Sequence, residues 1–304
     1  MRIGINASSQ LGTNGVQELG AHAAQCEADG FSSWWLAQIG PTDALAAIAV
    51  AAGATSTIEM GTAVVPTYTR HPSTMAGQAL TAQSALGDRL VLGIGLSHQP
   101  VVEDRLLMEW QKPIGHMRDY LTIVNQVLSS GKANHEGKYF SFKSDGQRPT
   151  EAAPSVMLAA LGPQMLKVAG THSDGTILWM VGPKTIAEHI APSINAAAEA
   201  AGRDKPRVVC SLPVAVTDDA EAAKGLHNAV FELYGQLPSY RSMLDREGAA
   251  TPGDVCIQGN EDEVNAHLDA LAEAGTTDFS AMELAASPED MVRTRALLST
   301  RAQR

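Results

Sequence analysis

Apolar positions along this chain fall into short runs separated by stripes at helical spacing, and the two alternate from one end to the other. Ile3, Ile5 and Ala7 alternate with their neighbours as a first strand would. Val16, Leu19, Ala23 and Cys26 then recur on one helical face, and Asp29-Gly30 closes that helix before the apolar run 33–37. Asp43 caps an alanine-rich helix over 44–52 that ends at Gly53. The stretch 58–99 is the clearest unit. Ile58, Met60, Ala63, Val64 and Val65 form a buried strand stopped by Pro66, and Leu90, Val91, Leu92 and Ile94 form another stopped at Gly95. Between them Pro72 opens a helix with Met75, Ala79, Ala82 and Leu86 on one face. A right-handed βαβ crossover makes the two strands parallel, which sets 64–67 beside 95–98.

The second half repeats the theme with one interruption. Periodicity lapses over 99–115, which predicts a loop with a short helix, and an amphipathic helix follows with Met117, Leu121, Val124 and Leu128 inward and Gly131 at its end. The segment 135–142, HEGKYFSF, alternates aromatic and polar residues as a small hairpin does. Strands are predicted at 155–159, 176–181, 207–216 and 277–282, with helices after Gly162-Pro163 and Gly182-Pro183, from Asp218 or Asp219 towards Glu247, around Val264, His267, Leu268 and Leu271, and over 288–300. An irregular connector with room for a short strand lies at 253–259. Eight strands alternating with helices over 304 residues predict a single (β/α)8 barrel domain, 1–304, with a small rim insertion, and a doubly wound open sheet is the main rival.

Composition narrows the partners. A net charge of −11 argues against general binding to nucleic acid or to an anionic membrane, since both need clustered Lys and Arg. Cys26, Cys210 and Cys256 are too few and scattered for a disulfide framework or a zinc site, and they read as reduced thiols of a cytoplasmic protein. No metal ligand set is expected. No stretch approaches the roughly 18 apolar residues of a spanning helix.

In a barrel of this kind chemistry is confined to the carboxyl ends of the strands. That rule leaves 6–9, 37–39, 63–67, 95–98, 160–162, 179–182, the end of strand seven and Glu283. The set is rich in amides, small residues and backbone, with few charges. Gly93-Ile94-Gly95 begins like a dinucleotide fingerprint, but His98 occupies the third glycine position. The glycines are read instead as room for a flat ring against the backbone, with Ser97 and His98 at the lip to hydrogen-bond it. Gly95-Leu96-Ser97-His98-Gln99 also approaches a hydrolase nucleophile elbow, which Gln99 breaks; a serine hydrolase is a minor alternative. Leu161-Gly162-Pro163 carries the strongest physical argument. Pro163 presets a first helical turn, so that the amides of Gly162, Gln164 and Met165 face an anion such as a phosphate. Trp34 and Trp35 alternate, one into the barrel and one under a helix, while Asn6 and Trp179 are candidates for a substrate pocket wall.

The run GTAVVPTYTRHP followed by RLVLGIGLS resembles the bacterial luciferase-like monooxygenase superfamily, and within it the members that use the deazaflavin coenzyme F-420. The resemblance extends over nearly the whole chain. It implies the barrel fold, a non-prolyl cis peptide at Ala63-Val64 against the cofactor ring, a phosphate at the 162–165 helix start and a homodimer. It also implies hydride transfer between F-420 and a small organic substrate, with FMN-dependent monooxygenation or a non-catalytic flavin-binding barrel as alternatives. Gln38 stands where some relatives place an acid near the reactive ring carbon, and a neutral amide orients but does not transfer protons. His98 is then the nearest group of suitable pKa, with Glu103 and Asp104 behind it. Arg70 and His71 are placed near an anionic tail, and Arg118 and Asp119 are assigned to structure.

Overall fold

A computed structural model describes residues 1–12, 14–110 and 112–303. Eight parallel strands close into a barrel in chain order: β1 (Arg2–Asn6), β2 (Ser33–Leu36), β3 (Glu59–Thr62), β4 (Leu90–Gly95), β5 (Ser155–Ala159), β6 (Gly175–Trp179), β7 (Arg207–Val216) and β8 (Asp278–Glu283), with β8 paired back to β1. The open-sheet alternative is therefore excluded. A three-residue strand, Ile257–Gly259, lies beside the end of β7 and fills the irregular connector. The rim insertion is an antiparallel hairpin, Lys132–Glu136 with Ser141–Asp145, wider than the aromatic segment that signals it.

Helix boundaries follow local chemistry. Asp43 accepts from Ala46 N–H and caps Ala44–Ala51, Pro72 and Pro163 occupy first turns, and Gly87 and Gly131 end Pro72–Leu86 and Pro113–Ser130 in the left-handed conformation. One expectation needs correction: the region from Asp219 towards Glu247 is two helices, Ala220–Gln236 and Pro238–Glu247, because Pro238 cannot continue the first. The lapse over 99–115 holds the short helix expected there, a π-helical turn at Val101–Arg105. No helix among the described residues is long and apolar enough to cross a membrane.

The core has two parts. Most apolar side chains pack between the barrel and its helices, whereas Trp35, Val91, Met157, Ile177 and Val209 fill the barrel itself. The tryptophan pair divides as strand alternation requires. Trp35 lies inside with Nε1 donating to Ser33 Oγ at 2.8 Å, and Trp34 lies outside with Nε1 donating to His22 Nδ1 at 3.0 Å. Below this plug, at the amino ends of the strands, Arg207 binds Asp278 and Glu59, each at 2.8 Å, and Arg2 reaches both acids at 3.3 Å. That end is sealed.

Candidate active site

The carboxyl ends of the strands enclose a cavity of about 640 Å3. One wall is built where β3 and β4 fall out of step. Gly61 pairs with Val91, yet Val65 pairs with Ile94, so the third strand takes four steps where the fourth takes three. The extra residue makes a bulge. Thr62 Oγ1 bridges the gap, accepting from Gly93 N–H at 2.9 Å and donating to Gly93 O at 2.7 Å. The Ala63-Val64 peptide within this bulge is cis, and both residues line the cavity.

The two glycines of β4 have separate duties. At Gly93 a Cβ would meet Thr62 O at 1.9 Å, so this glycine permits strand contact and does not face the cavity, contrary to the expectation for it. At Gly95 a Cβ would stand 2.8 Å from Val64 Cγ2, and this residue does line the cavity. One flank is the start of the helix Pro163–His172. Leu161, Gly162 and Met165 face the space, and His189 Nε2 holds Leu161 O at 2.8 Å. Around Gly162 the Cβ position meets nothing within 4 Å, which leaves the first-turn amides accessible. The other flank is the segment after β4, from Leu96 to Asp104, with Trp110. Trp179 and the turn 237–240 complete the enclosure.

The polar groups are few. Burial holds the His98 imidazole below its ordinary value, so at pH 7 it is neutral and offers one donor and one acceptor. Its ring packs against Tyr240 at 5.6 Å and edge-on to Tyr234 at 6.4 Å. Burial and then the neighbouring Tyr234 push the Tyr240 phenol up, which keeps it protonated. Glu103 and Asp104 supply the carboxylates among the described lining residues. Trp110 begins a column of rings, stacked on Tyr68 at 5.4 Å, which stacks on His116 at 4.6 Å and through it on Tyr120. The hairpin residue Phe140 packs edge-on to His116 at 4.9 Å. His116 also meets Thr67 Oγ1 at 3.0 Å, directly behind the cavity wall.

Of the residues expected in the site, the cavity gathers Ala63, Val64, Gly95, Ser97, His98, Leu161, Gly162 and Trp179. Pro163 and Gln164 are exposed at the helix start and are not lining residues. Asn6 stands apart: Nδ2 donates to Ser211 Oγ at 2.9 Å, and Oδ1 accepts from Ser8 N–H and Oγ–H. Gln38 is likewise not a lining residue, because its amide oxygen is drawn to Arg70 at 2.9 Å. Arg70 is no tail-binding cation either, since its buried guanidinium is spent on Gln38, Asp43 and Gln78. Asp119 is structural as expected, accepting from Tyr139 N–H at 2.7 Å to tie down the hairpin. Glu283 turns away from the mouth to Arg295 at 3.0 Å.

The hydrolase alternative finds no dyad. Ser97 has a left-handed backbone, φ 68°, and among the described residues no hydrogen bond joins it to His98. Tyr240 and Trp110 are lining residues that the sequence pattern does not place, and Met165, expected there for its amide, lines the cavity. Pro238 inside a helical run was the available signal for the turn that brings Tyr240 to the mouth.

A barrel whose carboxyl-end mouth carries this bulged wall together with a helix start defines an α/β enzyme scaffold, and the comparison with known sequences agrees. The chain belongs to the luciferase-like monooxygenase family, whose model matches residues 1–303. It is 26% identical over 278 residues to the 5,10-methylenetetrahydromethanopterin reductase of Methanolobus tindarius, covering 86% of this chain and 84% of that one. Its fold matches the coenzyme F-420 dependent tetrahydromethanopterin reductase of Methanopyrus kandleri with a TM-score of 0.80 at 20% identity, over 98% of this chain and 97% of the other. It also matches the oxygenating constituent of 3,6-diketocamphane monooxygenase from Pseudomonas putida, solved with FMN, with a TM-score of 0.78 at 18% identity, over 99% and 97% of the two chains.

Proposed function

We propose that this chain is an oxidoreductase transferring a hydride between the deazaflavin coenzyme F-420 and a small organic substrate. The observation that carries the reading is that the Ala63-Val64 wall and the open helix start at Gly162 line one cavity. A planar ring needs an apolar face to lie on, and Val64, Gly95, Ala159 and Ile177 provide one. A phosphate needs donors without competing charge, and the amides of Gly162, Gln164 and Met165 open a helix of 10 residues whose dipole favours an anion. The residues therefore fit a phosphate-bearing tricyclic cofactor. When bound, that ring supplies the hydride chemistry.

The protein supplies position and dryness. Ser97 and His98 donate to or accept from polar atoms at the lip, and neutral His98 with protonated Tyr240 gives the substrate side two groups able to hold a proton. Trp110, Trp179 and Leu237 exclude water from the space between. The preference for F-420 over FMN follows the names of the relatives: the reductase from Methanopyrus kandleri is F-420 dependent, and the camphane monooxygenase binds FMN. FMN with monooxygenation is the second reading.

Titration of the purified protein with F-420 and, separately, with FMN tests this, followed by cofactor fluorescence. Quenching with saturation at micromolar F-420 supports the proposal, and quenching by FMN alone moves it to the second reading. No response to either compound ends it.

A further inference from the structure

The charge along the cavity lining has one sign. Glu103 and Asp104 line the space, and among the described residues no Lys or Arg does so. Both carboxylates are exposed at the lip, on the π-helical turn Val101–Arg105 that follows β4. Glu103 Oε2 accepts from Gln99 Nε2 at 3.0 Å, a neutral donor. Among the described residues neither carboxylate has an ion-pair partner, whereas Glu59 and Asp278 at the far end of the barrel each have two arginines. Arg105 and Lys112 belong to the same segment, yet neither lines the cavity.

The uncharged part of the lining suits the same sign of ligand. Trp110, Trp179 and Tyr240 all border the space. Each is held by another ring: Tyr68 stacks on Trp110 at 5.4 Å, Phe231 meets Trp179 edge-on at 5.4 Å, and Tyr234 meets Tyr240 edge-on at 4.9 Å. The face of an aromatic ring is the negative part of its quadrupole and attracts a cation. Burial keeps His98 neutral, so it does not offset the two acids. The helix start at Gly162 is the part of the lining that favours an anion, and the cofactor phosphate accounts for it.

We propose that the substrate admitted to this cavity is a small organic cation, a molecule bearing a protonated amine that Glu103, Asp104 and the aromatic lining hold. This rests on the functional reading above and names the class of molecule that faces the cofactor ring. The same charges work against a carboxylate substrate. Water screens exposed carboxylates, so each contributes about threefold in affinity, and the whole lining favours a cation over a neutral molecule of the same size by about tenfold.

The test compares three probes that share one ring and nearly one size: benzylammonium, benzyl alcohol and benzoate. Their binding to the full-length protein is read by tryptophan fluorescence without cofactor and by isothermal titration with cofactor bound. Trp110 and Trp179 report occupancy, because Trp34 and Trp35 are fully buried in the core. Wild-type protein is expected to bind benzylammonium about tenfold more tightly than benzyl alcohol, and benzoate more weakly than either. Glu103→Gln and Asp104→Asn each lower that preference about threefold, and added salt weakens it. Glu109→Gln, on the same segment and outside the lining, leaves it unchanged. Circular dichroism melts confirm that each variant is folded. No saturable response to benzylammonium, equal affinity for the amine and the alcohol, or a preference left unchanged by both single variants overturns this inference alone. If neither F-420 nor FMN binds while the charge preference persists, the functional reading falls, and with it the assignment of the cation as a substrate.

Discussion

At the amino ends of the strands Arg207, Arg2, Glu59 and Asp278 neutralise one another over a plug of packed side chains. At the carboxyl ends the same strands finish in a bulge, a cis peptide, a helix start with unspent amides and neutral polar rings around about 640 Å3 of space. The sealed end uses charges paired at close range, where removing one strands the other. The open end sets a neutral His98 and a protonated Tyr240 beside Glu103 and Asp104, and leaves the first-turn amides after Gly162 facing outward. Stability and binding are therefore expected to respond to different residues.

The strongest challenge to that division is Gly93, which belongs to both regions because it lets β3 and β4 approach beneath the cavity. Gly93→Ala would drive a Cβ to within 1.9 Å of Thr62 O, backbone that cannot step aside, so a loss above about 4 kcal/mol is expected in urea unfolding. At the sealed end, Arg207→Met leaves Asp278, whose side chain is 3% exposed, with Arg2 as its remaining cation. A loss of about 3 kcal/mol is expected, with cofactor affinity of the folded protein within about twofold of wild type. A parallel collapse of affinity in Arg207→Met would show the two ends to be coupled.

The ring column at the rim gives a pH-dependent version of the comparison. Burial, opposed by Asp119, lowers the His116 imidazole from 6.5 to about 4. The unfolded chain therefore binds this proton more readily than the folded one, and the stability from neutral His116 is present above pH 6.5 and lost as pH falls towards 4. At about 1.4 kcal/mol per unit the loss reaches roughly 3 kcal/mol, and His116→Asn should flatten that limb of a stability–pH curve measured by chemical denaturation. The smallest expected stability change is at the open end. His98→Asn should move unfolding by no more than about 0.5 kcal/mol, yet weaken cofactor or substrate binding about fivefold by isothermal titration, the cost of one hydrogen bond.

Much of the barrel was legible because its causes are local. Apolar runs at period two, proline at helix starts and glycine at helix ends fixed all eight strands to within a few residues. The helix start at Gly162 was legible for the same reason. What escaped was set by distant residues. Gln38 reads as a site residue because its place just after β2 is visible in sequence, whereas its capture by Arg70, 32 residues later, is not. Asn6 was drawn inward by Ser211, 205 residues away. Tyr240 reached the mouth only because Pro238 broke a helix that periodicity had joined. Gly93 was assigned to ring space because the glycine pattern does not reveal that Thr62 occupies it.

Trp110 is at once a panel of the cavity and the outermost ring of a stack that ends among hairpin side chains. Residues such as Phe140 and Tyr120, which do not line the cavity themselves, are thereby joined to that panel through His116 and Tyr68. An engineer wishing to widen or narrow what the mouth admits can work from this outlying ornament of the fold, tuning the opening by remote adjustment while every group beside the reactants is left alone.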